Sequence, residues 1–279
     1  MYYYGFVALI TFVISVLCDS LSIVLWYNWY SNIISYTWIN IIIYGILCLF
    51  FKIIHNSPTY DVTVRALFLG QSFSSGIILY ITGSQSWKLF GIYAAVLSTF
   101  HFTEFLAIAF TNPKVLSSDT FVINHSFEYT LAATASWAEF LLERYYFTKI
   151  KESRWIMLLG LLFCLIGEIF RKTAILTAKH NFNHIIQNKK TIDHKLITHG
   201  VYRMCRHPSY VGWFYWSVGT QLILQNPLCL ITYALISWKF FHDRILIEEI
   251  NLIEFFGFSY IQYQDKVGTG LPFILGCKR

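Results

Sequence analysis

The feature that most constrains this chain is a succession of apolar runs, each about as long as the roughly 20 residues a helix needs to cross a bilayer. They occupy residues 5–26, 33–51, 64–82, 89–110, 123–147, 155–176, 210–224 and 228–256. Turn-forming residues separate them: Asn56-Ser57-Pro58, Gly83-Ser84, Asn112-Pro113 and Asn226-Pro227. A soluble domain carries about 25% charged residues. Here 13% are charged and 56% are hydrophobic, so the solvent for much of the chain is lipid. Residues 1–4 lack the basic stretch of a cleavable signal, and the first run is read as a helix of the mature protein. The expected fold is an all-α integral membrane protein: a bundle of about eight transmembrane helices with a cytosolic cofactor-binding connection and a C-terminal segment. One membrane domain, residues 1–279, accounts for the pattern, with N-terminal helices over 1–150 and the catalytic helices and cofactor site over 151–279.

Two runs are unlike plain spans. The fifth carries Glu128, Glu139, Glu143 and Arg144. The last carries Lys239, His242, Asp243, Arg244, Glu248 and Glu249 in its second half, so that helix either leaves the bilayer or faces a polar cavity. The Asn226-Pro227 break is so short that the last two helices must form an antiparallel hairpin. With eight spans both termini share one side, which collects fourteen Lys and Arg against five on the other. The positive-inside rule then places both termini and the 177–206 connection in the cytosol. The cluster of Arg144, Lys149, Lys151 and Arg154 runs against this orientation. The net charge of +6 is dispersed between apolar runs and forms no basic stripe, which excludes a nucleic-acid partner. Six Cys without paired spacing read as core thiols, not a disulfide framework or a zinc site.

Polar chemistry concentrates after residue 168. The densest stretch runs His199-Gly200-Val201-Tyr202-Arg203-Met204-Cys205-Arg206-His207-Pro208-Ser209-Tyr210-Val211-Gly212. Pro208 suits the first turn of a helix, whose unpaired N–H groups favour an anion. A basic collar snorkelling to lipid headgroups explains the same residues. The hairpin returns Arg244, Glu248 and Glu249 to that membrane face. Arg244 and Glu248 share a helix face four residues apart, as an ion pair or as parts of a site. Glu168 and Arg171 stand at the end of the sixth run, and ionisable groups there are either a salt bridge or functional. His180, His184 and His194 stand in the connection without an HExxH pattern, which favours a ligand-contacting loop over a metal site. No GxGxxG, Walker loop or GxSxG elbow occurs, so no Rossmann-type pocket is expected.

From about Arg171 to Phe273 these residues closely resemble the isoprenylcysteine carboxyl methyltransferases of the endoplasmic reticulum. The resemblance rests on Asn181-Phe182-Asn183-His184, the run from Arg206-His207-Pro208-Ser209-Tyr210 to Trp216, Asn226-Pro227, Asp243-Arg244, Glu248-Glu249-Ile250 and Thr269-Gly270-Leu271-Pro272-Phe273. The shorter RHPxYxG piece also occurs in other membrane methyltransferases and in sterol reductases. The resemblance implies a multi-pass membrane enzyme of the endoplasmic reticulum with its active site facing the cytosol. Its methyl donor is S-adenosylmethionine, and its partners are prenylated CaaX proteins and membrane lipid. Carried over position by position, it implies that Gln187, His194, Lys195, Leu196, Ile197, Tyr202, His207, Pro208, Ser209, Tyr210 and Glu248 hold the donor. Arg244 would meet the substrate carboxylate, and Glu168 and Arg171 are further catalytic candidates. No metal is implied. The chain departs from the family pattern at His194-Lys195-Leu196-Ile197 and Met204-Cys205, where backbone atoms can serve, and at Ile245, Leu246 and Ile247 before the paired Glu.

The chemistry agrees. An α-carboxylate at the end of an unstructured peptide titrates at about 3.3–3.7 and is ionised at neutral pH, so the nucleophile needs no general base. Competing readings are an NADPH-dependent sterol reductase, a phospholipid methyltransferase, which needs no group for a carboxylate, and a non-enzymatic transporter or scaffold.

Overall fold

The computed structural model describes residues 3–26, 33–123, 126–190, 192 and 194–277. Residues 124–125 of the fifth expected span, and Lys278 and Arg279 of the cytosolic charge count, lie outside these. The described residues are helical and include no strand. The helices are α1 (Tyr3–Trp26), α2 (Ile33–Ile54), α3 (Ser57–Thr82), α4 (Gln85–Thr111), α5 (Phe127–Tyr146), α6 (Arg154–Ala178), α7 (Pro208–Leu224), α8 (Pro227–Phe256) and α9 (Phe258–Lys266).

Caps set several boundaries that hydropathy misses. α3 starts well before its apolar run because the Asn56 side chain accepts the Thr59 N–H at 3.2 Å and Pro58 fits the first turn. α5 starts at Phe127, not at 123, because the Ser126 hydroxyl accepts the Tyr129 N–H at 3.2 Å. Among the described residues three stretches are long and apolar enough to cross a membrane on those grounds alone: Tyr3–Ser22, Ser57–Thr82 and Gln85–Thr111. α6 and α8 fall outside that set because charged residues break their apolar runs.

The chain forms two compact units. The first runs to Leu131 and includes Phe147–Glu152. In it α3 lies against α1 and α4 through small residues. A Cβ on Gly70 would stand 2.6 Å from the Phe12 carbonyl oxygen, and one on Gly76 2.6 Å from that of Gly91. Close backbone approach of this kind maximises dispersion between helices where lipid supplies no hydrophobic drive. Phe12 stacks on Phe102 and Phe105 on Phe121, each pair with centroids 3.9 Å apart.

The second unit comprises Ala132–Tyr146 and Ser153–Arg279. Its backbone is the crossing of α6 and α7, where Gly160 and Gly167 meet Gly219 and Gly212. A Cβ on Gly167 would lie 2.5 Å from the Gly212 carbonyl oxygen and 2.6 Å from the Trp216 nitrogen. The expected hairpin between α7 and α8 is present. Gln225 takes the left-handed conformation (φ 55°, ψ 44°), and Pro227 opens α8. α5 locks that turn. Asn226 donates to the Ser136 carbonyl at 2.8 Å, and both oxygens of Glu139 accept the first N–H groups of α8, from Leu228 and Cys229, at 2.7 Å. Glu139, which weakened the fifth run as a plain span, is thus the cap of α8. Leu158, Leu162, Leu165 and Ile169 of α6 and Leu228, Ile231 and Leu235 of α8 are exposed, forming apolar surfaces suited to lipid.

Candidate active site

The site is assembled where the 179–207 connection enters α7. His207 is the residue before the helix and Pro208 the first within it. The entry is held by the segment after α9: the Arg206 and His207 N–H groups donate to the carbonyls of Gly268 and Thr269 at 2.9 and 3.2 Å. Gly270, at φ +97°, must be glycine, since a Cβ there would press to 2.6 Å on the Cys205 Cβ. Burial pushes the neighbouring Cys205 thiol up to about 11.

The paired glutamates of α8 separate into two environments. Glu249 is wholly buried. One of its oxygens accepts Arg206 Nε at 2.7 Å, His207 Nε2 at 3.0 Å and the Tyr260 hydroxyl at 3.2 Å. The other accepts Gln264 Nε2 at 3.0 Å and the Cys277 N–H at 2.7 Å. Arg206 in turn donates to the carbonyls of Gln264, Val267 and Leu275. A buried charge is tolerated only when paired and hydrogen-bonded in this way.

Glu248 keeps 31% of its side chain exposed. It accepts the Tyr210 hydroxyl and stands 3.9 Å from His207 Nδ1. The rings of His207, Tyr210 and Phe241 form a stack, with centroids 5.6 and 5.1 Å apart. Arg244 does not pair with Glu248. It donates to the His184 carbonyl at 2.9 Å and to the Tyr210 hydroxyl at 3.4 Å, and its guanidinium lies over the Tyr210 and Phe240 rings. No carboxylate lies within ion-pair distance of it among the described residues. Tyr202 and His194 both lie near Glu248. Burial chiefly, then Glu248, raises the Tyr202 phenol; burial and Lys190 lower His194 against the opposing pull of Glu248.

Glu168 pairs with Lys172 at 3.6 Å. Arg171, 3% exposed, donates to the Ser209 hydroxyl and sits between the rings of Phe182 and Trp213, 5.3 and 4.9 Å from their centroids.

A family model described as isoprenylcysteine carboxyl methyltransferase matches residues 158–254. The protein-S-isoprenylcysteine O-methyltransferase of Tribolium castaneum is 52% identical over 229 residues, 82% of each chain. The chain belongs to the isoprenylcysteine carboxyl methyltransferase family. The Homo sapiens protein-S-isoprenylcysteine O-methyltransferase is 51% identical over 226 residues, 81% of this chain and 79% of that one. A solved structure, of the eukaryotic intramembrane Ras methyltransferase of this family, superimposes with a TM-score of 0.96 at 46% identity and covers 99% of both chains.

In this membrane methyltransferase the residues expected from sequence fall into three groups. Tyr210 joins the first group, stacking on His207, donating to Glu248 and accepting from Arg244, and Ser209 is held by Arg171. The connection lies along the second half of α8. Asn251 donates to the Gln187 carbonyl at 3.0 Å, His194 sets its ring edge-on to Phe255 and Phe256, and Leu196 packs on Ile253, Tyr260 and Tyr263. Lys195 contributes its backbone N–H, donated to the Asn181 side chain at 2.9 Å, and Ile197 is half-buried. Pro208 is buried, and the Tyr202 carbonyl accepts the Tyr263 hydroxyl. Sequence reasoning named Arg206, Glu249, Phe182 and Trp213 but gave them no place in the site, and it did not reach Asn251. Their adjacency to His207 and Glu248 was the available signal for the first two.

Proposed function

We propose that the cluster of His207, Tyr210, Glu248 and Arg244 serves the methyl esterification of a C-terminal prenylcysteine carboxylate, with S-adenosylmethionine as donor. One observation carries this reading: on a single helix face, Glu248 offers a partly exposed carboxylate while Arg244, one turn away, offers a guanidinium with no acidic partner among the described residues. Glu248, Tyr202, the His207–Pro208–Ser209–Tyr210 turn, Gln187 and the 194–197 segment would hold the donor. The donor supplies an electrophilic methyl group on a sulfonium. Arg244 would fix the substrate carboxylate, whose planar oxygens suit a guanidinium fork. Arg171 would orient Ser209 from behind, with Glu168 keeping Lys172 turned away from it. Since the carboxylate arrives ionised, the protein's contribution is alignment, an effect worth up to roughly 7–11 kcal/mol.

The substrate is amphiphilic, and an apolar cavity of about 440 Å³ supports that. Phe163, Ile166, Phe170 and Tyr215 line it, with Cys205 and Val211 beside the turn into α7. Each CH₂ of a farnesyl or geranylgeranyl chain buried there gains on the order of 0.8 kcal/mol. In this reading the partners are prenylated CaaX proteins. The chain makes about eight passes through the endoplasmic reticulum membrane, with the 177–206 connection in the cytosol where the donor is dissolved.

The test uses radiolabelled S-adenosylmethionine and N-acetyl-farnesylcysteine. Wild-type protein methylates the acceptor. Arg244→Ala and Glu248→Ala abolish turnover while keeping the helical fold, and Glu248→Ala weakens S-adenosylhomocysteine binding more than Arg244→Ala does. Equal donor affinity in the two variants overturns the division of roles. Binding of NADPH in place of S-adenosylhomocysteine overturns the reaction.

A further inference from the structure

Glu249 touches neither the exposed edge of Glu248 nor Arg244, and the reaction above gives it no task. Yet five groups from three parts of the chain converge on its carboxylate. Three of these, Tyr260, Gln264 and Cys277, come from α9 and the segment that follows, and Gly276 (φ +80°) passes so close that a Cβ would overlap the carboxylate. The carboxylate accepts and does not donate, so the His207 nitrogen that faces it at 3.0 Å, Nε2, carries the hydrogen. In the neutral imidazole this leaves the lone pair on Nδ1, on the side of Glu248. A carboxylate placed behind a histidine, fixing it in one tautomer and one plane, is a general device. The parallel stack of His207 on Tyr210, with an interplanar angle of 5°, passes that orientation to the tyrosine that donates to Glu248.

We propose that Glu249 is a positioning residue: it holds His207 as the Nε2–H tautomer, so that Nδ1 and the stacked Tyr210 present a fixed polar edge to the donor, and the segment 267–277 belongs to the site because it closes over this carboxylate. The functional part of this inference rests on the donor reading of the His207–Glu248 cluster; the tautomer does not.

The two are separated by experiment. Histidine-selective ¹⁵N spectroscopy of the full chain in nanodiscs, without substrate, reads the protonation pattern of the His207 ring at pH 8. The expected pattern has Nε2 protonated and Nδ1 bare. The opposite pattern, or an even mixture, overturns the proposal whatever the protein binds. Glu249→Gln should convert the signal to a mixture, because an amide both donates and accepts. It should also raise the KM for S-adenosylmethionine about tenfold with a smaller change in kcat. His207→Gln should raise KM similarly, and the double variant no further, since Glu249 acts through His207. Additive effects in that cycle, or an unaltered His207 signal in Glu249→Gln, refute the role. If Glu249→Gln does not fold, the wild-type spectrum decides. A correct tautomer with no binding of S-adenosylhomocysteine removes the donor reading and leaves the positioning intact.

Discussion

Gly167→Ala probes the crossing on which the second unit is built. Within a helix this substitution ordinarily stabilises, by about 0.5–1 kcal/mol, because alanine loses less backbone freedom. Here the added Cβ would lie 2.5 Å from the Gly212 carbonyl oxygen, where ordinary contact begins near 3.4 Å. Both neighbours are backbone atoms and cannot rotate away, so α6 and α7 must part by roughly 0.9 Å at this point. Overpacking of this order costs about 1–3 kcal/mol, and the expected result is a lower melting temperature in detergent. Arg171 stands one turn from Gly167 and its backbone also abuts Gly212, so the same displacement draws the guanidinium from Ser209. A misplacement of about 1 Å at a site can lower turnover roughly a hundredfold. The control is Gly45→Ala in α2, where nothing lies within 4 Å of the new Cβ. It should melt at the wild-type temperature or above and keep full activity. If both variants behave alike, the glycines of α6 and α7 are not what fixes the crossing.

Two further outcomes are expected. Glu139→Gln leaves one acceptor and places an NH₂ against the Leu228 or Cys229 N–H, so the start of α8 should lose about 1–2 kcal/mol, seen as a lower melting temperature and faster hydrogen exchange at residues 228–230. His194 is held below its ordinary value by burial, so the unfolded chain takes up its proton first as pH falls. The anchoring it contributes is therefore complete above about pH 6.5, the ordinary histidine value, and declines below it. The protection factors of residues 185–190, corrected for the intrinsic pH dependence of amide exchange, should fall between pH 7 and 5.5 in wild type, and this fall should vanish in His194→Phe. Protection factors that stay constant with pH in wild type would show that the ring does not anchor the connection.

Much of this arrangement was legible in the sequence because it is local. Asn226-Pro227 forces a tight return wherever it occurs, and Pro208 marks a helix start. The contact partners were not legible, because helix spacing gives only candidates. Arg244 and Glu248 are four residues apart, yet each turns to Tyr210 from α7. Glu168 bonds forward to Lys172, while Arg171 takes Ser209, 38 residues away. Glu248 and Glu249 are neighbours of the same type, and only the direction of each Cβ on α8 decides which is buried against Arg206. Of the charges of α8 that break its hydropathy, Arg244, Glu248 and Glu249 gather at the candidate site, while Lys239 and Asp243 pair on the surface.

The bonds of Arg206 have a consequence for the order in which the protein is made. They reach 43 residues ahead to Glu249 and 58–69 ahead to Gln264, Val267 and Leu275. Contacts so distant in the chain close late, after the local helices have formed. The helices thus reach the lipid while Arg206, His207 and Glu249 are still apart and hydrated. If residues 267–277 complete the site as proposed above, competence for the reaction arrives last, when they fold back. On that order a newly inserted chain is anchored in the membrane before it can act on anything there.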